Sequence, residues 1–351
     1  MTFRFKALAA ACTLSLMAGS AFGQELAPLN SDTETDRIAW SELQAKFGDV
    51  PAVAEGTKVG GVSKTLTNEY WRTLGEGYAA FAEKLGVEVA YQAASSEGDQ
   101  LGQLSIAETL LAQGFNALLF SPQTDNNLQP ALEAAETQGV PVINVNDAVI
   151  PGARHYVGNV QQDNGVRVAK WFIENRPEGG KVAVIEGQAG VFAAGQRTKG
   201  FTETVTKDGK FTVVASVPGN WDRQVAYDAA STILQQNPDL LGFYANNDGM
   251  ALGVVEAVKA AGLSDKVVVF GTDGISDAYA SIRAGELTGT VDSFPMLTGE
   301  VAMETALRLV GKQALPRVVT TPQALITKDN VEQFAVKGDE LRKVLLAAPA
   351  N

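Results

Sequence analysis

The stretch Lys64-Thr65-Leu66-Thr67-Asn68-Glu69-Tyr70-Trp71 decides how the rest of the chain reads. Before it, residues 58–63 form a short apolar run containing Gly60 and Gly61, which predicts a strand. After it, Leu74, Tyr78, Phe81, Ala82 and Leu85 recur at helical spacing. The stretch is therefore a loop that leaves the carboxyl end of a strand and enters a helix. In open α/β sheets, that end is where ligands bind. Tyr70 and Trp71, side by side, offer a flat apolar platform, with donors from Lys64 and Asn68 beside it. Such a platform suits a sugar, which has an apolar C–H face and a belt of hydroxyls. The competing reading makes Tyr70 and Trp71 core aromatics at a helix start.

Outward from this stretch, strands and helices alternate, with glycines such as Gly86, Gly114 and Gly139 closing the helices. This is the grammar of parallel βαβ units. It runs to about residue 160 and then starts afresh with a helix at 162–175. Two runs of similar length predict an α/β fold of two similar doubly wound parallel-sheet domains. A helix at 295–311 and one extended segment at 317–326 follow the apparently complete second domain. They read as chain crossing back to finish the first domain and to supply further linkers. Upstream, residues 24–36 read as extended, 38–47 as one short helix and 51–56 as a linker.

The 351 residues are 45% hydrophobic and 19% charged, an ordinary globular composition with room for two domains. The net charge of −12 and the lack of a Lys/Arg-rich run argue against nucleic acid and anionic membranes as partners. Arg4 and Lys6, the apolar run 7–17 and the small residues Ala21 and Gly23 predict a secretory signal peptide over 1–23, cleaved after Gly23. The single cysteine, Cys12, lies inside it, so the mature chain has neither disulfide nor thiol nucleophile. Losing Arg4 and Lys6 from 28 basic residues leaves 26 against 40 acidic ones, a net charge of −14. These features fit an exported, periplasmic protein.

Polar groups recur at successive strand ends: Asn144-Val145-Asn146-Asp147, Asn246-Asn247-Asp248-Gly249 and Thr272-Asp273-Gly274. With Arg197 and Trp221 they would make a cleft with an aromatic wall, one guanidinium and several amides and carboxylates. Asp248 and Asp273 fit helix N-caps equally well.

Taken together, these motifs resemble the periplasmic sugar-binding proteins of ABC importers, in the ribose/allose-binding group of the type I fold. The resemblance spans about residues 58–328. It rests on the opening stretch with Gln162-Asp163-Asn164, Gly195-Gln196-Arg197-Thr198-Lys199-Gly200-Phe201, Trp221-Asp222-Arg223, the run from Ala245 to Gly253, and Gly271-Thr272-Asp273-Gly274. It implies that Lys64 and Asn68 hydrogen-bond the ligand from the first domain, and that Tyr70 and Trp71 cover one sugar face. Trp221 would stack from the second domain, Arg197 would hold ring or hydroxyl oxygens, and Asn247 and Asp273 would add polar contacts, with Gln162 also in the site. Lys64 looks more like the allose-type site than the ribose-type site.

Three positions depart from the pattern. Asn146 followed by Asp147 stands where the family has Asp, Ser293 where Gln is frequent, and Gln188 where an apolar residue is common. These make a ketose or a polyol more plausible as ligand. The resemblance further implies a three-stranded hinge and capture by lobe closure, a monomer without cofactor, and the membrane subunits of an ABC importer as partner. The lobes would be 58–160 with 294–321, and 161–293 with 322–338, leaving 24–57 as an N-terminal extension and 339–351 as a tail. A sensor docking to a chemoreceptor or histidine kinase would carry the same sequence features. An enzyme is the remote alternative: Asp248 and Asp273 could pair as acid and base, but the only histidine, His155, sits in an ordinary extended run, and no nucleophile, metal or phosphate-loop motif is present.

Overall fold

The computed structural model describes residues 26–347, so the expected signal peptide, its cleavage site and Cys12 lie outside the described residues. The first sheet takes β1 (Arg37–Ala39), β2 (Lys58–Ser63), β3 (Glu88–Ala93), β4 (Ala117–Phe120), β5 (Val142–Val145) and β6 (His155–Gly158). The second takes β7 (Gly180–Glu186), β8 (Phe211–Pro218), β9 (Leu240–Ala245), β10 (Val268–Asp273) and β11 (Gly289–Asp292). Two late strands divide between them: β12 (Val318–Thr320) enters the first sheet and β13 (Ala324–Thr327) the second. The strand orders are β1-β12-β6-β5-β4-β2-β3 and β13-β11-β10-β9-β7-β8. All pairings are parallel except β13 on β11. The central strand β4 is buried at every position, as a continuous apolar run in a two-faced parallel sheet must be, and so is β5, whose one polar residue, Asn144, is paired with the Ala148 carbonyl and the Ile150 amide.

The helices cover the sheet faces. They are α1 (Leu43–Phe47), α2 (Glu69–Leu85), α3 (Gln100–Ala112), α4 (Gln129–Thr137), α5 (Gln161–Asn175), α6 (Phe192–Lys207), α7 (Arg223–Gln236), α8 (Asp248–Ala260), α9 (Ser276–Ala284), α10 (Pro295–Val310), α11 (Val331–Phe334) and α12 (Gly338–Ala347). Side chains at the loop ends start several of them: Asn68 accepts from the Tyr70 amide at 3.0 Å and Asp222 from Val225 at 2.8 Å. Gly86, at φ 66°, closes α2 in the left-handed region that glycine enters without strain.

The chain passes between the lobes three times, from β6 to α5, from β11 to α10 and from β12 to β13. The segment at 317–326, expected as one extended run, is thus two strands in different sheets, because residues 321–323 carry the third crossing. Residues 38–47, expected as one helix, are instead the end of β1, a 3-10 turn at Trp40–Glu42 and α1. β1 forms because it finds an edge: it pairs in parallel with β12, so the N-terminal extension completes the first sheet. The extension also holds the hinge. The Asp32 carboxylate accepts from the Gln161 and Gln162 amides at 2.8 and 2.7 Å, capping α5 where its own N-cap residue, Val160, has no capping side chain. The C-terminal helix α12 lies back on the first lobe, where Arg342 pairs with Glu300 of α10 and stands 5.4 Å from the ring of Trp40.

Candidate functional site

The two lobes meet over a cleft formed by the carboxyl ends of both sheets, and its side chains have closed on one another. From the first lobe it takes Asn68, Tyr70, Trp71 and Asp147, and from the second Arg197, Trp221, Asn247 and Asp273. The opening stretch does both jobs that its sequence allowed: Tyr70 and Trp71 belong to the buried core and also line the cleft.

The two rings are not a flat platform. They meet edge to face, at 86° with centroids 4.8 Å apart. The Tyr70 hydroxyl accepts from the amide of Asn146, which fixes its ring in this edge-on position. The opposing aromatic wall is Trp221, whose backbone sits at φ 64° after Asn220 at φ 53°. A bulky residue in that region is a true outlier, and such strain collects at ligand sites. Its indole fits because residue 187 is glycine: a Cβ there would lie 2.1 Å from the ring.

The charged groups form a relay across the cleft. Lys64, fully buried, places Nζ 2.5 Å from Asp147 Oδ2 and 5.7 and 5.5 Å from the rings of Trp71 and Trp221. Arg197 bridges the lobes, 3.6 Å from Asp147 Oδ1 and 3.7 Å from Asp273 Oδ1. It is held by donating from Nε to Gln161 Oε1 at 2.9 Å and from Nη1 to the Asn246 carbonyl at 2.8 Å. Close packing of α5 on α6 makes this possible, since a Cβ on Gly165 would lie 2.1 Å from the Arg197 carbonyl oxygen.

Burial pushes the Asp147 carboxyl up, but Lys64 and Arg197 outweigh it and hold it below the ordinary range. Asp273 shows the opposite balance: burial raises it well above the ordinary range, and Arg197 offsets only part of that. Arg197 stays firmly protonated, its burial outweighed by Asp147 and Asp273.

Several expected positions stand elsewhere. Asn146 lies behind the cleft wall, its amide spent on Tyr70, Gln161 and Tyr156. Asn146 and Asp147 both adopt the left-handed region, at φ 46° and 63°, and it is Asp147 that this turn presents to the cleft. Gln162 packs against Gly200 between α5 and α6, and its neighbour Gln161 reaches Arg197 instead, one residue being a hundred-degree turn of a helix. Gln188 sits at the rim, its Nε2 3.8 Å from where a Cβ of Gly98 would be. Ser293 is fully buried behind Asp273, donating its amide to the Asp273 carbonyl at 3.3 Å. Asp248 is neither a cap nor a cleft group. Its carboxylate accepts from Gly274, Ile275 and Thr290, which fixes the turn carrying Asp273, while Asn247 caps α8.

Glu97 lines the cleft and was not anticipated. It follows β3 in Ser95-Ser96-Glu97-Gly98, another loop at a carboxyl strand end, and that position was its only sequence signal.

The lobes also touch outside the cleft. The Asp125 carboxylate accepts from the Phe192 amide at 3.0 Å, the Asp147 backbone carbonyl from the Ala193 amide at 3.1 Å, and the Glu69 carboxylate takes both the amide and the hydroxyl of Ser276, at 3.0 and 2.8 Å. The conformation is closed.

Residues 59–314 match the family described as periplasmic binding protein domain. The D-allose-binding periplasmic protein of Escherichia coli is 36% identical over 252 residues, covering 69% of this chain and 81% of that protein. The D-ribose/D-allose-binding protein of Pseudomonas aeruginosa is 31% identical over 298 residues, covering 81% and 92%. Among solved structures, an ABC transporter periplasmic solute-binding protein of Actinobacillus succinogenes with bound D-allose superposes with a TM-score of 0.76 at 30% identity, covering 79% of this chain and 99% of that one. A solute-binding protein of Mycobacterium smegmatis with bound glycerol gives 0.75 at 30% identity, covering 81% and 98%. The chain belongs to the periplasmic binding protein family. Within it, the chain has the type I fold that it shares with these sugar-binding relatives.

Proposed function

We propose that this protein captures one monosaccharide or sugar alcohol in the inter-lobe cleft, as a monomer in the periplasm after cleavage behind Gly23, and presents the closed form to the membrane subunits of an ABC importer. The observation that carries this reading is the pairing of Trp71 and Trp221 from opposite lobes around the Lys64–Asp147–Arg197–Asp273 relay. Aromatic faces cover the C–H faces of a small ring or chain, and the charged groups accept from and donate to its hydroxyls. The cleft completes itself only when the lobes close, so binding and closure are one event. The ligands of the relatives, D-allose and D-ribose, set the size class. Asp147 in place of an Asp one residue earlier shifts the strongest acceptor and keeps ketoses and polyols among the candidates. The ligand leaves unchanged: the site binds and does not turn over.

A thermal-shift screen of the mature protein against pentoses, hexoses, ketoses and tetritols to hexitols tests this reading. One chemical class should raise the melting temperature by mass action, and product analysis should return the hit intact. No shift from any member, after refolding to strip retained ligand, would overturn it.

A further inference from the structure

We propose that Glu97 is a specificity-determining acceptor for one hydroxyl of the ligand. This inference rests on the sugar or polyol reading above. Glu97 lines the same cleft as Trp71 and Trp221. Its Oε1 accepts from Trp71 Nε1 at 3.3 Å, which aims the carboxylate, while its Oε2 is buried with no partner among the described residues. The other two cleft carboxylates have cations: Asp147 has Lys64 and Arg197, and Asp273 has Arg197. Among the described residues, no ion pair reaches Glu97. A buried carboxylate oxygen without a donor is costly, and the cost is relieved only by something that enters the cleft and donates.

The loop is built to hold this side chain in place. Gln123 accepts from the Gly98 amide at 2.9 Å and donates to the carbonyls of Lys64 and Ser96 at 2.8 and 3.0 Å. It thereby ties the Glu97 loop to the loop that carries Lys64. The cleft holds a second orphan of opposite sense, Trp221 Nε1, which is buried and donates to no group among the described residues. An acceptor and a donor both left open are what a hydroxyl satisfies, since it donates and accepts. An ammonium or an ether oxygen satisfies only one of them. The cleft therefore selects a fully hydroxylated ligand at the Glu97 edge and rejects analogues deoxygenated or O-methylated there, because a missing hydroxyl leaves the carboxylate unpaired.

The test is calorimetry of wild type, Glu97→Gln and Glu97→Ala with D-allose, D-ribose, D-tagatose, erythritol and xylitol, followed by the monodeoxy analogues of the tightest binder. Glu97→Gln should lose about tenfold or more in affinity, near the cost of one charge-assisted bond. The unliganded melting temperature should hold or rise in Glu97→Gln, since a buried unpaired charge is gone. The loss should vanish for one monodeoxy analogue, which a merely structural role could not produce. Equal affinity of wild type and Glu97→Gln, or an equal loss on every analogue, would overturn the assignment and leave the sugar reading standing. Binding of no member of the full pentose, hexose, ketose and polyol screen by wild type would overturn both.

Discussion

At the scale of single residues, function sits where backbone and burial are most constrained. Trp221, Asp147 and Asp273 all hold positive φ, at 64°, 63° and 136°, and all three side chains face the cleft. Arg197 is the group that ties these lobes together, so Arg197→Ala should weaken binding by about a hundredfold, in line with truncating one member of a buried charge network. Trp221→Ala should cost about tenfold or more while the melting temperature of the unliganded protein changes little. Titration calorimetry and circular dichroism check both, and normal binding by both variants would contradict the site. Asp292 gives a pH prediction. It accepts from Tyr279 Oη at 2.7 Å and from the Phe294 amide at 2.6 Å, and burial pushes its carboxyl up to about 8. Its folded value exceeds its unfolded one, so the folded state binds more protons and loses stability as pH rises toward 8. Asp292→Asn removes that loss, and its melting temperature should gain on wild type steadily between pH 5 and 8. A constant difference across that window would count against the raised carboxyl.

At the scale of elements, the strand and helix positions were legible because each obeys a period of its own, and polar residues at the strand ends named most of the cleft. What stayed hidden depended on tertiary partners. β1 is three residues long, too short for a period, and exists because β12 offers it an edge. α12 carries Leu341, Val344 and Leu345 at helical spacing and packs them on the first lobe, but nothing local says which surface receives them. Gln161 rather than Gln162 reaches Arg197 because the capped start of α5 sets its rotation, and that cap comes from Asp32, far away in sequence. Glu97 had only its place after β3 to mark it, because what aims it into the cleft is Trp71 and what holds its loop is Gln123, both distant in sequence. Asp32→Ala should therefore lower stability by about 1 kcal/mol, the usual worth of an N-cap, read as a drop of about 1–2 °C in melting temperature. An unchanged melting temperature would mean that the extension contributes nothing to the start of α5.

At the scale of the whole molecule, two lobes joined by three crossings meet through Arg197, through Asp125 with Phe192 and through Glu69 with Ser276. The cleft side chains have closed on one another, so the binding cycle requires an open state in which those contacts are broken. The most direct measurement is small-angle scattering of protein refolded free of ligand, before and after addition of the sugar or polyol that gives the largest thermal shift. The account predicts a smaller radius of gyration on addition, saturating at one ligand per chain, with Arg197→Ala needing about a hundredfold more ligand for the same contraction. An identical radius with and without a ligand that demonstrably binds would contradict capture by lobe closure.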